Sequence, residues 1–176
     1  MKNCIYLIVL GILFFSCQNN DTKGYFENCL YGQPEAIFNK EMEEVAKHEF
    51  KIKQKEGIEN VQFTDGLELT IFQSGCDYIR QQFQFEMAAP SDTIDTNTTE
   101  YWVAQAINSF QKLGELGPQF FSYSSWAQAI AERAADFKLA EFLEVQPGFF
   151  VKIDRIESLD THTLLITLSE EPETDI

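Results

Sequence analysis

The chain reads as an α+β domain: an antiparallel sheet, formed by a meander plus a C-terminal hairpin, with about three helices packed mainly on one face. Three observations predict this. Apolar and polar residues alternate over 67–87, with the period of half-buried strands. Trp102, Val103, Ala106, Ile107, Phe110 and Leu113 recur at helical spacing. Strand-like and helix-like stretches are also grouped rather than interleaved, which argues against the alternating order of a parallel sheet.

The elements follow in order. Pro34 suits the first turn of a helix. Ile37, Phe38, Met42, Val45 and Ala46 follow at helical spacing among Glu and Lys, so the pattern predicts a helix over 34–47. His48-Glu49-Phe50-Lys51-Ile52-Lys53 alternates as a short strand, which Gly57 should end. Val61 and Phe63 point one way, and Asp65-Gly66 signals a tight turn or bulge. Leu67, Leu69 and Ile71 then alternate with Glu68, Thr70 and Phe72, up to a second turn signal at Ser74-Gly75. Ile79, Gln81, Phe83, Phe85 and Met87 alternate with Arg80, Gln82, Gln84 and Glu86 in the clearest strand of the chain, giving the meander one wet face.

Residues 90–99 are polar and rich in turn formers, as an exposed loop would be. Thr98 or Thr99 should cap the helix that carries Trp102, and Gly114, Gly117 and Pro118 should end it. Ser122 or Ser124 should cap a second helix, with Trp126, Ile130, Ala134 and Phe137 on one face. Ala127 and Ala131 are small enough to bring that helix close to its neighbour. After a turn at Pro147-Gly148, strands are expected at 149–156 and 163–168. The chain closes on an acidic tail, 171–176.

The N-terminus carries a different signal. Met1-Lys2-Asn3 is followed by an apolar stretch, Ile5 to Phe15, broken only by Gly11. A membrane-spanning helix takes about 20 apolar residues, so this stretch suits the core of a signal peptide. Phe14-Phe15-Ser16-Cys17, where a small residue precedes a cysteine and polarity switches at once, resembles the lipobox of bacterial lipoproteins. The common pattern has Leu and a smaller residue where this chain has Phe14 and Phe15. The resemblance covers the first 17 positions. It implies that 1–16 is a signal peptide and that Cys17 takes lipid through its thiolate; 17–27, without an apolar period, then reads as a lipidated tether, and the length that follows makes 28–170 one domain of ordinary size. Each buried acyl CH₂ contributes about 0.8 kcal/mol, so two or three chains anchor such a domain to a membrane. Gln18 after Cys17 is similar to outer-membrane sorting in well-studied lipoproteins, which places the domain in the cell envelope facing the periplasm or the cell surface.

Composition narrows the function. The formal charge is −15, and removing 1–16 makes it −16 because Lys2 is lost and no acid is. Phosphate contacts need clustered Lys and Arg, so nucleic acid is an unsuitable partner, and the charge also disfavours peripheral binding to anionic lipid. A cationic protein partner is compatible, although solubility alone also explains acidity. With Cys4 in the signal and Cys17 lipidated, Cys29 and Cys76 remain. In an oxidising compartment they are candidates for a disulfide, the rival being two separate thiols.

No catalytic constellation stands out. Cys76 lies in Gln73-Ser74-Gly75-Cys76-Asp77, but a cysteine nucleophile needs a base, and His48 and His162 are the two histidines of the chain. There is no zinc spacing, no calcium loop, no Gly-x-Gly-x-x-Gly and no Walker pattern, so no metal, cofactor or nucleotide is expected. Most Phe residues fall in core register, while Phe120, Phe121, Tyr123, Phe149 and Phe150 cluster near turns as a candidate binding patch. Asp92-Thr93-Ile94 resembles the Asp-Thr/Ser-aliphatic O-glycosylation site of exported bacterial proteins, which makes Thr93 a candidate for modification.

The expectation is therefore a lipid-anchored envelope binding protein without catalytic activity. One version is an inhibitor or immunity-type protein acting on a cationic partner such as a wall hydrolase. The alternatives are an accessory subunit of an envelope assembly and an enzyme pairing Cys76 with a histidine.

Overall fold

Strand-period alternation organises most of the chain. A computed structural model describes residues 23–74, 76–88, 95–158 and 161–172. The signal segment, Cys17, the start of the tether, Gly75, Thr93 and the last four residues lie outside the described residues. A single helical turn, α1 (Lys23–Phe26), precedes the domain. Then come β1 (Val45–Lys53), β2 (Glu56–Phe63), β3 (Glu68–Ser74) and β4 (Arg80–Ala88) as a meander. Helices α2 (Thr99–Gly114) and α3 (Phe121–Glu132) follow, and then β5 (Phe142–Gln146), β6 (Phe149–Glu157) and β7 (Thr161–Ser169). All seven strands form one antiparallel sheet in the order β1-β2-β3-β4-β7-β6-β5.

The α+β class holds, with two corrections to the elements. Among the described residues two helices of more than one turn pack on the sheet, rather than about three. The C-terminal unit is also three strands rather than a hairpin, because β5 (Phe142-Leu143-Glu144-Val145-Gln146) pairs with β6.

One face of the sheet is buried. Val61 and Phe63 on β2, Leu69 and Ile71 on β3, Phe83 and Phe85 on β4, Leu164 and Ile166 on β7, and Val151 and Ile153 on β6 point into the core. Helix α2 covers the β7–β6 side with Trp102, Val103, Ala106, Phe110 and Leu113, and Phe110 meets Phe83 edge-on at 5.2 Å. Thr98 caps α2 by accepting the Tyr101 N–H. Neither Ser122 nor Ser124 caps α3. A 3-10 turn, Pro118–Phe120, runs directly into it, and both serines lie inside the helix. The close approach of the helices is made at Gly114, where a Cβ would stand 2.0 Å from Ser124 Oγ and 2.8 Å from its backbone nitrogen. Ala127 is buried beside that contact, but Ala131 is exposed.

The predicted helix over 34–47 does not form. Residues 33–44 cross the β1–β3 side as turns, and Val45, Ala46 and Lys47 join β1. The apolar stripe was a true burial signal: Phe38 and Val45 are buried, and Ile37 and Met42 pack against the core. The backbone found other partners. Glu59, on the core face of β2 and fully buried, accepts the Ile37 N–H at 2.9 Å and the Phe38 N–H at 2.8 Å. Asn39 Oδ1 accepts the Glu41 N–H, a local bond that competes with helix formation. Gln73 Nε2 donates to the Glu35 carbonyl, and Pro34 lies against Gly57, where a Cβ would be 2.7 Å from Pro34 Cβ. Gly57 is therefore buried inside β2 rather than ending β1, and the hairpin turns instead at Gln54 and Lys55, with Gln54 at φ 59°. A bulge at Ala46 points Val45 inward and Ala46 outward.

The Asp65-Gly66 turn forms as read. Gly66 sits at φ 90°, where glycine is favoured, and Asp65 Oδ1 accepts the Leu67 N–H. Lys112 at the end of α2 pairs with Asp65 and is the main reason its carboxyl titrates below the ordinary range, with the Leu67 N–H second.

Two predictions follow from these contacts. Glu59→Ala leaves two buried N–H groups and His48 without their acceptor, so it should cost about 3–5 kcal/mol in urea unfolding. A loss below about 1 kcal/mol would mean that the 33–44 segment is held by its side chains alone. Asp65→Asn keeps the turn acceptor and removes the charge. A carboxyl with a depressed folded-state pKa stabilises above its unfolded-state value, and that stabilisation is lost as pH falls through the folded-state value. Both partners are about half exposed, so the difference from the parent should be at most about 1 kcal/mol near neutrality. It should close on acidification; parallel acid-unfolding profiles would contradict it.

Candidate functional site

Among the described residues no helix lies over the second face of the sheet, which carries the polar half of the alternations together with Ile58, Phe72, Phe150, Ile156 and Leu165. Strand pairing sets them in rows. Lys47, Gln62, Glu68, Glu86 and Thr163 stand side by side across β1, β2, β3, β4 and β7. Two residues along each strand lies a second row, Glu49, Asn60, Thr70 and Gln84. Together these nine residues line an open groove of about 530 Å³.

Side-chain hydrogen bonds order this surface. Thr70 Oγ1 donates to Asn60 Oδ1 at 3.0 Å, and Gln62 Nε2 donates to Glu68 Oε1 at 3.0 Å. Gln84 Nε2 donates to Gln82 Oε1 at 2.9 Å, and Gln82 Nε2 to Thr167 Oγ1 at 3.3 Å. Amides and hydroxyls supply donors and acceptors, and carboxylates supply acceptors only. The charge is one-sided, with Glu49, Glu68 and Glu86 against Lys47. Glu68 and Glu86 are directly opposed across β3 and β4, an arrangement that costs stability when both are ionised. The groove is therefore suited to a cationic, donor-rich ligand.

The Glu59–His48 pair is a second polar feature, with Oε1 and Nε2 2.8 Å apart. Glu59 also holds Ile37 and Phe38, so the pair is part of the packing that covers β1–β3. Burial first, and the Glu59 carboxylate second, push the Tyr123 phenol above its ordinary value. Cys76 stands apart from both histidines. Its sulfur is 1.99 Å from that of Cys29, the distance of a disulfide. It follows Ser74 at one end of β3, whereas His48 is level with Val61 and Leu69, five residues along, or roughly 17 Å at strand rise. His162, level with Met87, is farther still. The structure therefore brings Cys29 and Cys76 together and brings neither histidine to Cys76. Among the described residues, no group of three or more His, Cys, Asp or Glu is placed to hold a metal ion.

The aromatic candidates do not form one patch. Phe120 is buried and stacks on Phe38 at 5.0 Å, and Tyr123 is buried against Phe83 at 5.6 Å. Phe149 is half-buried against Trp126 at 5.8 Å, and Phe150 is half-buried. Phe121 is well exposed, at 69%. The turn before α3 folds back onto the core because Phe120 fills the space beside Phe38. The groove residues were visible in the sequence only as the polar half of an alternation. That pattern signals a wet face but not which strands meet on it.

The chain matches no protein-family model, no curated protein and no solved structure.

Proposed function

We propose that the chain is a lipid-anchored envelope binding protein without catalytic activity, and that the groove on its uncovered sheet face holds a cationic segment of a protein partner. The observation that carries this reading is the opposed pair Glu68 and Glu86 in an amide-lined groove, with Glu49 adding a third carboxylate at its β1 edge. A like-charge pair that costs the free domain stability becomes favourable once a Lys or Arg lies between its members. The excess of acid over base across the chain would also steer a basic protein toward it. An inhibitor or immunity-type protein acting on a cationic wall hydrolase is one form of this activity. In the same reading Cys17 carries the lipid, the domain sits at the outer membrane facing the periplasm or the cell surface, and Cys29 and Cys76 are bonded there.

The test combines stability with binding. Glu68→Gln together with Glu86→Gln should raise unfolding free energy by about 0.2–1 kcal/mol, because the repulsion is relieved. The same double variant should bind a fluorescent oligolysine peptide at least about fivefold more weakly than the parent at low salt. Parental binding should itself weaken steeply with added salt. Equal affinities for parent and variant would remove the groove from this role. For the cysteines, the linked residues are 47 apart, so Cys29→Ser with Cys76→Ser should cost about 4 kcal/mol on loop-closure entropy. Unfolding midpoints that are insensitive to reductant would show two free thiols.

A further inference from the structure

We propose that the end of the sheet carrying Leu30, Tyr31 and Ile79 rests on a phospholipid bilayer and orients the domain on its membrane; this rests on the reading of Cys17 as the lipid-bearing residue. Among the described residues the exposed large hydrophobics are Leu30, Tyr31, Ile79, Phe121 and Ile156, and the first three share one end. Single exposed apolar side chains are ordinary on any surface, but a group of them marks contact with something apolar.

These three stand on a braced backbone. Leu30 follows Cys29, which is at bonding distance from Cys76. The Tyr31 N–H donates to the Cys76 carbonyl, and Tyr31 Oη donates to Glu170 Oε1. The other Glu170 oxygen accepts the Ile79 N–H, and the Glu170 N–H donates to the Ile79 carbonyl. The three side chains are thus presented together where the coil before β1 is tied to the start of β4 and the end of β7.

Chain continuity identifies the occupant. The described chain begins at Lys23, six residues before Cys29. Residues 17–22 extend to at most about 20 Å, so a lipid on Cys17 keeps this end, of all parts of the domain, close to the bilayer. The chemistry agrees: Leu and Ile enter the acyl boundary, and a Tyr ring suits the headgroup level with its hydroxyl in the polar layer. Charge at this end is acidic on balance, Lys53, Lys55 and Arg80 against Glu27, Glu35, Glu56, Asp77, Glu170 and Glu171, so no cationic cluster is present to draw anionic headgroups. The contact is therefore apolar and does not call for anionic lipid. It also aims the binding face. Glu86 lies six residues along β4 from Arg80, which lifts the acidic groove roughly 20 Å from the membrane.

The test uses the full chain in phosphatidylcholine vesicles containing acyl-brominated lipid, with the lipid on Cys17 checked by mass. Tyr31→Trp should lose most of its added fluorescence to the bromines. Phe121→Trp, just beyond the α2 end that Lys112 ties to the Asp65 turn, should keep its own. Lys53 and Lys55 should be shielded from an impermeant amine reagent relative to Lys138, and Leu30→Glu with Ile79→Glu, both at exposed positions, should restore their reactivity. Equal emission from the two Trp variants, with Lys53 as reactive as Lys138, overturns the seating. So does shielding that persists without vesicles and grows with protein concentration, which would assign this end to a second copy of the chain. A mass without lipid overturns the anchor reading instead. Quenching of Tyr31→Trp by added vesicles would then still support the seating, and its absence would overturn it.

Discussion

A carboxylate with no solvent contact holds the arrangement together. Glu59 occupies a core position on β2, between Gly57 and Val61, where an aliphatic side chain would be ordinary. Burying an ion costs several kcal/mol unless its oxygens are satisfied. Two consecutive backbone N–H groups and His48 satisfy them here. The two N–H groups belong to the segment that crosses β1–β3, so the charge of one strand residue dictates the path of a stretch far from it in sequence. Phe38 is delivered by that path to Phe63 and Phe120, which joins the coil, the sheet and the entrance to α3 in one cluster.

This constraint explains why a single sheet has two kinds of cover. The helices lie over the β7–β6–β5 side, and the two-helix layer is closed by Gly114 against Ser124. The β1–β3 side would stand open without the 33–44 segment. Because both covers share one face, the other face keeps its amides, hydroxyls and charges, and strand pairing places Glu68 beside Glu86 there. Local stability is given up at that pair when both carboxylates are ionised.

Legibility in the sequence followed the type of signal. β4 was plain because Gln82-Phe83-Gln84-Phe85-Glu86-Met87 alternates strictly, and its two phenylalanines are fully buried. α2 was plain because a stripe, a Thr cap and a Gly/Pro stop agreed with one another. β5 was missed: five residues with Glu144 among them give too short an alternation to stand out from a loop. The stripe from Ile37 to Val45 was read as helix because periodicity reports which side chains are buried and not which backbone partners their N–H groups will find. Phe120 and Tyr123 near a turn suggested exposure, but the 3-10 turn before α3 carries them inward.

By itself the sequence determined the α+β class, the one-sided sheet, the start of α2 to within Thr98 or Thr99, and the acidity, and it offered Cys29 and Cys76 as candidates to pair. These rest on local pattern, composition or a short list of possibilities. Tertiary structure decided what depends on residues distant in sequence: the coil cover held by Glu59, the level of Cys76 relative to the histidines, and the row that joins Lys47 to Thr163 across five strands. Register across a sheet is a property of pairs, and a chain read one residue at a time does not contain it.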